Sequence, residues 1–274
     1  MDQKYLRLLV TSSIAFTYIL FCSFTPAADT VIKSPGYQFK TVVIDAGHGG
    51  KDPGARGNYS VEKNVALSIA KRLQAAIQTQ LTDLNVVMTR SDDTFIELNR
   101  RSSIANSNKG NLFISIHCNS SPEGTASRAN KRSGVMLLVY GLHRVKEQLE
   151  AVRENASIFI EKDYQETYQS YDPNDPANVI ILNAYTQKYR KQSILFGELL
   201  NKEFTETNNR ESIGVKEQGV LVLAHSAMPA VLVETGFINN PDEEDYLNSE
   251  AGQLEIVQSI VIAIKGYRAS LNVQ

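Results

Sequence analysis

Two histidines and two glutamates in this chain stand where chemistry is commonly built. His48 lies in the run Val42-Val43-Ile44-Asp45-Ala46-Gly47-His48-Gly49-Gly50, an apolar strand pattern that feeds a glycine-flanked imidazole. His117 ends a second apolar run, Leu112-Phe113-Ile114-Ser115-Ile116. Both imidazoles therefore fall at the carboxyl ends of strands, the edge where open α/β sheets assemble their sites. Glu62 opens the amphipathic stretch that follows His48. Two imidazoles and one carboxylate make a common catalytic zinc set that leaves one position for water. Glu234 closes Ala230-Val231-Leu232-Val233 and reaches the same edge. Partial desolvation there would lift its pKa toward the range useful for passing a proton from water to a leaving group.

Taken singly, each residue has a plainer explanation. His48 alone reads as a turn histidine, and His117 as a core histidine bonded to backbone. Glu62 suits a helix start, where a carboxylate is favourable against the dipole, and Glu234 could form a strand-end salt bridge. The joint metal reading is preferred because two imidazoles end two apolar strands. Asp45, three residues before His48, either orients that imidazole or caps a loop. Cys118 follows His117, but alternation along a strand sends it to the opposite face, as a small buried neighbour. His143 and His225 read as loop or surface histidines. Gly50-Lys51 is no nucleotide loop, because Asp45 and Asp52 stand where such a loop needs Gly and Ser or Thr.

The elements that must hold these residues alternate strand and helix. Strands are expected over residues 41–45, 85–89, 112–117, 134–140, 219–224 and 230–234, and helices over 62–80, 96–107 and 251–271. This order predicts an α/β fold, a three-layer α/β/α domain with a mostly parallel central sheet, over residues 39–271. The long interval from Tyr140 to Gly219 exceeds what a crossover requires. Within it Val145, Leu149, Val152, Ala156 and Phe159 step by three and four, an apolar face expected to hold a helical insertion down. The prolines of Tyr171-Asp172-Pro173-Asn174-Asp175-Pro176 then break the pattern, and a second helix is expected from about Ala184 to Phe204. The insertion is either an ordinary pair of covering helices or a cap over the site.

The chain has 274 residues and a formal net charge of -2, so nothing in its charge suggests a nucleic-acid partner. Lys4 and Arg7, the mostly apolar residues 8–24 and the small residues beyond them predict an export signal over residues 1–27, followed by a short lead-in over 28–38. Cleavage, retention as an anchor and lipidation at Cys22 all stay open. The expected mature chain keeps one thiol, Cys118, has no transmembrane span, and works in the periplasm or cell envelope.

Several separated motifs carry a family resemblance. Val43-Ile44-Asp45-Ala46-Gly47-His48-Gly49-Gly50-Lys51-Asp52-Pro53-Gly54-Ala55, Glu62-Lys63, Thr89-Arg90, Ser115-Ile116-His117-Cys118-Asn119 and Val233-Glu234-Thr235-Gly236-Phe237-Ile238-Asn239-Asn240 resemble, in that order, the zinc-dependent N-acetylmuramoyl-L-alanine amidases. The resemblance covers roughly residues 39–267. It implies hydrolysis of the amide between N-acetylmuramic acid and L-alanine in peptidoglycan, with Zn2+ held by His48, Glu62 and His117 and with Glu234 as the catalytic carboxylate. Asn119 and Arg90, like Asp45, are candidates for shaping the site. Many relatives carry Ala where Cys118 stands, a departure that touches no ligand. The cell-division branch of the family covers its zinc with an inserted helix that an activator protein displaces. Residues 142–183 resemble that insert, with Glu150, Glu154 and Glu161 as possible autoinhibitory plugs and Glu154 favoured. The rival readings are a zinc wall peptidase or carboxypeptidase and a catalytically silent wall-binding protein.

Overall fold

The computed structural model describes residues 38–121, 132–141, 148–162 and 176–271. The expected signal segment, His143, Val145 and the proline-bearing loop before Pro176 lie outside the described residues. Six strands form one sheet in the order β2-β1-β3-β6-β4-β5. They are β1 (Thr41–Ala46), β2 (Asn85–Met88), β3 (Leu112–Asn119), β4 (Val135–Tyr140), β5 (Ser212–Gln218) and β6 (Ala230–Phe237). The helices are α1 (Glu62–Gln80), α2 (Leu98–Ser107), α3 (Leu149–Asn155), α4 (Pro176–Lys202), α5 (Leu221–Ala224), α6 (Pro241–Asn248) and α7 (Glu250–Leu271). β2, β1, β3 and β6 run parallel, while β4 pairs antiparallel with β6 and parallel with β5. The mostly parallel three-layer fold is the one expected.

Alternation along the strands divides the core. Ile44, Ile114, Ile116, Cys118 and Val233 face the larger cluster, where Leu73 of α1, Phe196 of α4 and Ile260 of α7 pack. Val43, Phe113 and Leu232 face the smaller cluster under Ala105 of α2, Ala151 of α3 and Leu223 of α5. Asp45, Ser115, His117 and Glu234 share the second parity, so the site opens on the thinly covered face. Cys118 lies on the other, as alternation requires.

Two segments differ from the expectation. The fifth strand is 212–218, not 219–224. Val220, Val222 and Leu223 bury as part of the short α5 turn, because a brief apolar run fits a buried turn as well as a strand. The true strand hides its period: it is an edge strand with polar members, and Gly214 sits at φ +85 beside an irregular register. The helix expected from Ala184 begins at Pro176, since a proline is tolerated in the first turn, where its missing N–H has no partner to lose.

The insertion also turns over relative to expectation. Leu149, Val152 and Phe159 are 75%, 69% and 66% exposed, whereas Ala151 and Glu154 are buried. Polar bonds hold α3 instead. Ala151 N donates to Gln218 Oε1, Asn155 Nδ2 donates to Gly219 O, and Asn155 Oδ1 accepts from Leu221 N.

Candidate metal centre

β1 and β3 are adjacent and parallel, and the chain leaves β1 first to β2 on one side and then to β3 on the other. This is a topological switch point, where a crevice opens beyond the carboxyl ends. His48 stands two residues past β1. In the register of the next pair, His117 of β3 lies directly opposite Glu234 of β6. Glu62 begins α1 and is completely buried.

Ligand atoms from His48, Glu62, His117 and Glu154 all lie within 4.8 Å of one another. His48 Nε2 is 3.0 Å from Glu62 Oε1 and 3.3 Å from Glu154 Oε2. His117 Nδ1 is 3.0 Å from Glu62 Oε1 and 2.8 Å from Glu154 Oε2. His48 Nε2 and Glu154 Oε2 are nonetheless buried with no hydrogen bond of acceptable geometry. Donors close together but aimed past one another fit a common cation between them. Two imidazoles and two carboxylates are a donor set suited to zinc.

Backbone and second contacts fix this arrangement. His48 adopts the left-handed conformation with φ 58, which costs a non-glycine residue about 1–2 kcal/mol. Asp52 Oδ2 bonds His48 Nδ1 at 2.8 Å and so leaves Nε2 for the cluster. Gly47 is required by proximity, because a Cβ there would lie 2.4 Å from His117 Cε1. Gly54 has φ +66, and its missing Cβ leaves room for Glu62 Oε2 and the His48 ring. Ala55 N donates to Glu62 Oε2 and Cys118 N to Glu62 Oε1, at 2.7 and 2.9 Å.

Asp45 does not orient the imidazole. Its carboxylate accepts from Thr89, Ser115 and Arg101. Burial opposes its ionisation, but the Arg101 guanidinium and these hydroxyls hold it below the usual range. Arg101 in turn donates to Ala46 O at 2.8 Å and to His48 O at 2.7 Å. Arg90 adds bonds to Ala46 O, Gly47 O and Lys63 O, so it clamps the histidine loop without touching the cluster. Burial and the nearby Arg101 charge lower its pKa to about 10.

Among the three glutamates of the insertion, Glu154 reaches the cluster. Glu150 accepts from Gln218 Nε2, and Glu161 accepts from Leu98 N at the start of α2. Arg153, beside Glu154, donates to Glu234 Oε1 at 2.7 Å and to Asn119 Oδ1 at 2.6 Å. Burial lifts the Glu234 carboxyl to about 8 even against the attraction of Arg153. For His117, burial works against protonation, but the Glu154 and Glu62 carboxylates together outweigh it and raise the pKa to about 9. His48 is raised in the same way, against burial, by Glu62 and Asp52. A groove of about 760 Å³ runs beside the cluster between the insertion and the 51–56 loop, lined by Lys51, Arg56, Glu62, Arg153 and Glu154, a volume in the range of ligand sites.

Sequence reasoning missed Asp52, Arg101, Arg153 and Glu244. Asp52 carried a signal, four residues beyond His48 in a proline turn. Glu244, wholly buried, accepts from the N–H groups of Asn58, Tyr59 and Ser60 and so anchors the loop before Glu62. Its partners lie far away in sequence, so no local spacing marks it.

Known proteins resemble this chain in sequence and fold. A family model described as N-acetylmuramoyl-L-alanine amidase matches residues 42–266. The N-acetylmuramoyl-L-alanine amidase AmiA of Escherichia coli K12 is 31% identical over 83% of this chain and 76% of its own length. AmiC of Escherichia coli O6:H1 is 32% identical over 83% of this chain, which spans about half (52%) of that protein. The crystal structure of an N-acetylmuramoyl-L-alanine amidase from Clostridium difficile 630 superposes with a TM-score of 0.61, at 26% identity, over 83% of this chain and 96% of its own. With the match running through every strand that bears the cluster, the chain belongs to the N-acetylmuramoyl-L-alanine amidase family.

Proposed function

We propose that this peptidoglycan amidase works with zinc, held by His48, Glu62 and His117, and that its own insertion blocks the site. The observation that carries the reading is the convergence of four buried donors beside Glu234. Bound zinc supplies a Lewis acid and a water acidified toward neutrality. The protein's own residues do the rest. Asp52 holds the His48 tautomer, and Glu62 is kept ionised by both imidazoles and by two backbone N–H groups. Glu234 takes a proton from the attacking water and returns it to the L-alanine nitrogen as the C–N bond breaks. Burial, which lifts this carboxyl above the ordinary carboxylate range, favours its working in both transfers.

In the blocked state Glu154 fills the position that water needs, and Arg153 ties up the proton carrier. The exposed apolar side chains Leu149 and Val152 are then the handle for an activator protein that lifts the 142–183 insert. No helix among the described residues is long and apolar enough to cross a membrane. The export signal expected over residues 1–27 supports action in the periplasm or cell envelope, in wall remodelling or cell separation.

The test is mass analysis of sacculi digested with and without chelator. Chelator-sensitive release of stem peptides with a free L-alanine amine, leaving intact glycan, supports the reading. Release of D-alanine alone would make the protein a carboxypeptidase, and binding without release a silent wall protein. Glu234→Ala is expected to abolish release while zinc stays bound, and normal activity in that variant would remove Glu234 from the mechanism.

A further inference from the structure

Three acceptors at the mouth of the cluster converge on one cation. Arg153 Nη1 donates to Asn119 Oδ1 at 2.6 Å and to Ser120 O at 3.2 Å, and Nη2 donates to Glu234 Oε1 at 2.7 Å. The acceptors sit on or just after strands β3 and β6, whereas the guanidinium arrives on the insertion. Asn119 is 2% exposed and Glu234 0%, so lifting the insertion leaves Glu234 Oε1 without its donor and Asn119 Oδ1 with only the Ser120 N–H, both facing the position the guanidinium held. Buried acceptors in folded proteins have partners. A sheet edge that holds two buried acceptors beside the half-buried Ser120 carbonyl is shaped for a nitrogen cation other than Arg153.

The amide hydrolysis makes one. Water adds its oxygen to the lactyl carbonyl carbon, the C–N bond breaks, and its electron pair stays on the L-alanine nitrogen. That nitrogen gains a proton from Glu234, then a second from solvent, and ends as an α-ammonium. It offers one N–H donor in the substrate, two in the amine and three in the ammonium. A cradle of three acceptors therefore binds it more strongly as the reaction proceeds, which is the differential binding that accelerates a step.

We infer that Asn119 Oδ1, Ser120 O and Glu234 Oε1 form the subsite for the departing α-amine, and that Arg153 imitates that amine in the blocked state. This rests on the reading of Arg153 and Glu154 as a removable block. Asn119 becomes a catalytic residue that touches the leaving nitrogen, and the freed peptide competes with Arg153 for one position.

Calorimetric titration of the full-length, zinc-loaded chain tests it. The probes are L-alanyl-D-glutamate, with a free amine, and its N-acetyl form. The Arg153→Ala chain is expected to bind the free amine roughly tenfold to a hundredfold more tightly than the acetylated peptide, the scale of a charged hydrogen bond. Wild type is expected to discriminate less, because Arg153 occupies the cradle, and this comparison needs no change at Asn119. In the Arg153→Ala background, Asn119→Leu is expected to erase the preference and Asn119→Asp to keep it. Equal binding of both probes to Arg153→Ala overturns the inference. So does a preference that survives Asn119→Leu, which would put the amine on the metal. If Arg153→Ala hydrolyses sacculi no faster than wild type yet prefers the free amine, the block fails and the cradle stands. Faster hydrolysis without the preference sinks the cradle alone.

Discussion

Arg153→Ala and Glu154→Ala, in the full-length zinc-loaded chain, are expected to raise basal hydrolysis of wall amides. Arg153 contributes charge-assisted bonds to Glu234 and Asn119, and Glu154 lies 2.8 Å from His117 and 3.3 Å from His48. One such bond is worth about 1.5–3 kcal/mol. Because these bonds share one buried network, a single bond-equivalent per residue is the sound allowance. At about 1.4 kcal/mol per decade, either substitution shifts the opening equilibrium by roughly tenfold to a hundredfold. Release of dye from labelled sacculi reads this directly. The double variant should exceed either single one but fall short of their product, since Arg153 also bonds Glu154 at 2.8 Å. Leu149→Ser is the control: that side chain is 75% exposed, so basal activity should not move. Singles that stay at or below wild type, with zinc content and melting temperature unchanged, would refute the block.

Three further outcomes follow from the same contacts. Arg101→Met strands the wholly buried Asp45 carboxylate and should cost about 3–5 kcal/mol in urea unfolding, much of it recovered when Asp45→Asn is added. Gly47→Ala drives a Cβ into the His117 ring, and zinc content by mass spectrometry should fall while far-UV dichroism persists. Zinc must displace the protons of both imidazoles, which the neighbouring carboxylates (Glu154 and Glu62 at His117, Glu62 and Asp52 at His48) hold above the ordinary range against burial. Affinity by chelator competition should therefore keep climbing with pH well past the ordinary imidazole range, and Glu154→Gln should move that climb to lower pH.

Residues whose role depends on a strand end were legible in the sequence. His48, His117 and Glu234 each close an apolar run, and the parallel register then brings His117 and Glu234 side by side. Glu62 was legible as a helix start. What escaped depends on distant pairing. Arg101 lies in α2 and acts on the carbonyl of His48, while Glu244 acts on a loop more than 180 residues away. The insertion was misread for an instructive reason. Its apolar spacing is genuine, but the stripe turns outward, because what docks the helix is charge at Arg153 and Glu154 and amide pairing at Ala151 and Asn155. Periodicity shows that a face exists, and not which partner it waits for.

That outward stripe makes sense of a reversible block. Had Leu149 and Val152 packed beneath the insertion, burial would have added about 1.5–3 kcal/mol each to the closed state and left nothing for a partner to grip. Facing solvent, at 75% and 69% exposure, the same two side chains contribute little to closure and hold their burial energy in reserve. An activator that covers both would gain roughly what the Arg153 and Glu154 bonds lose, so the two states are matched closely enough for binding to shift one into the other. Such a partner needs no contact with the metal centre. It needs an apolar groove complementary to these two side chains, and Leu149→Ser with Val152→Ser should abolish activation while leaving the unstimulated rate and the zinc content as they were.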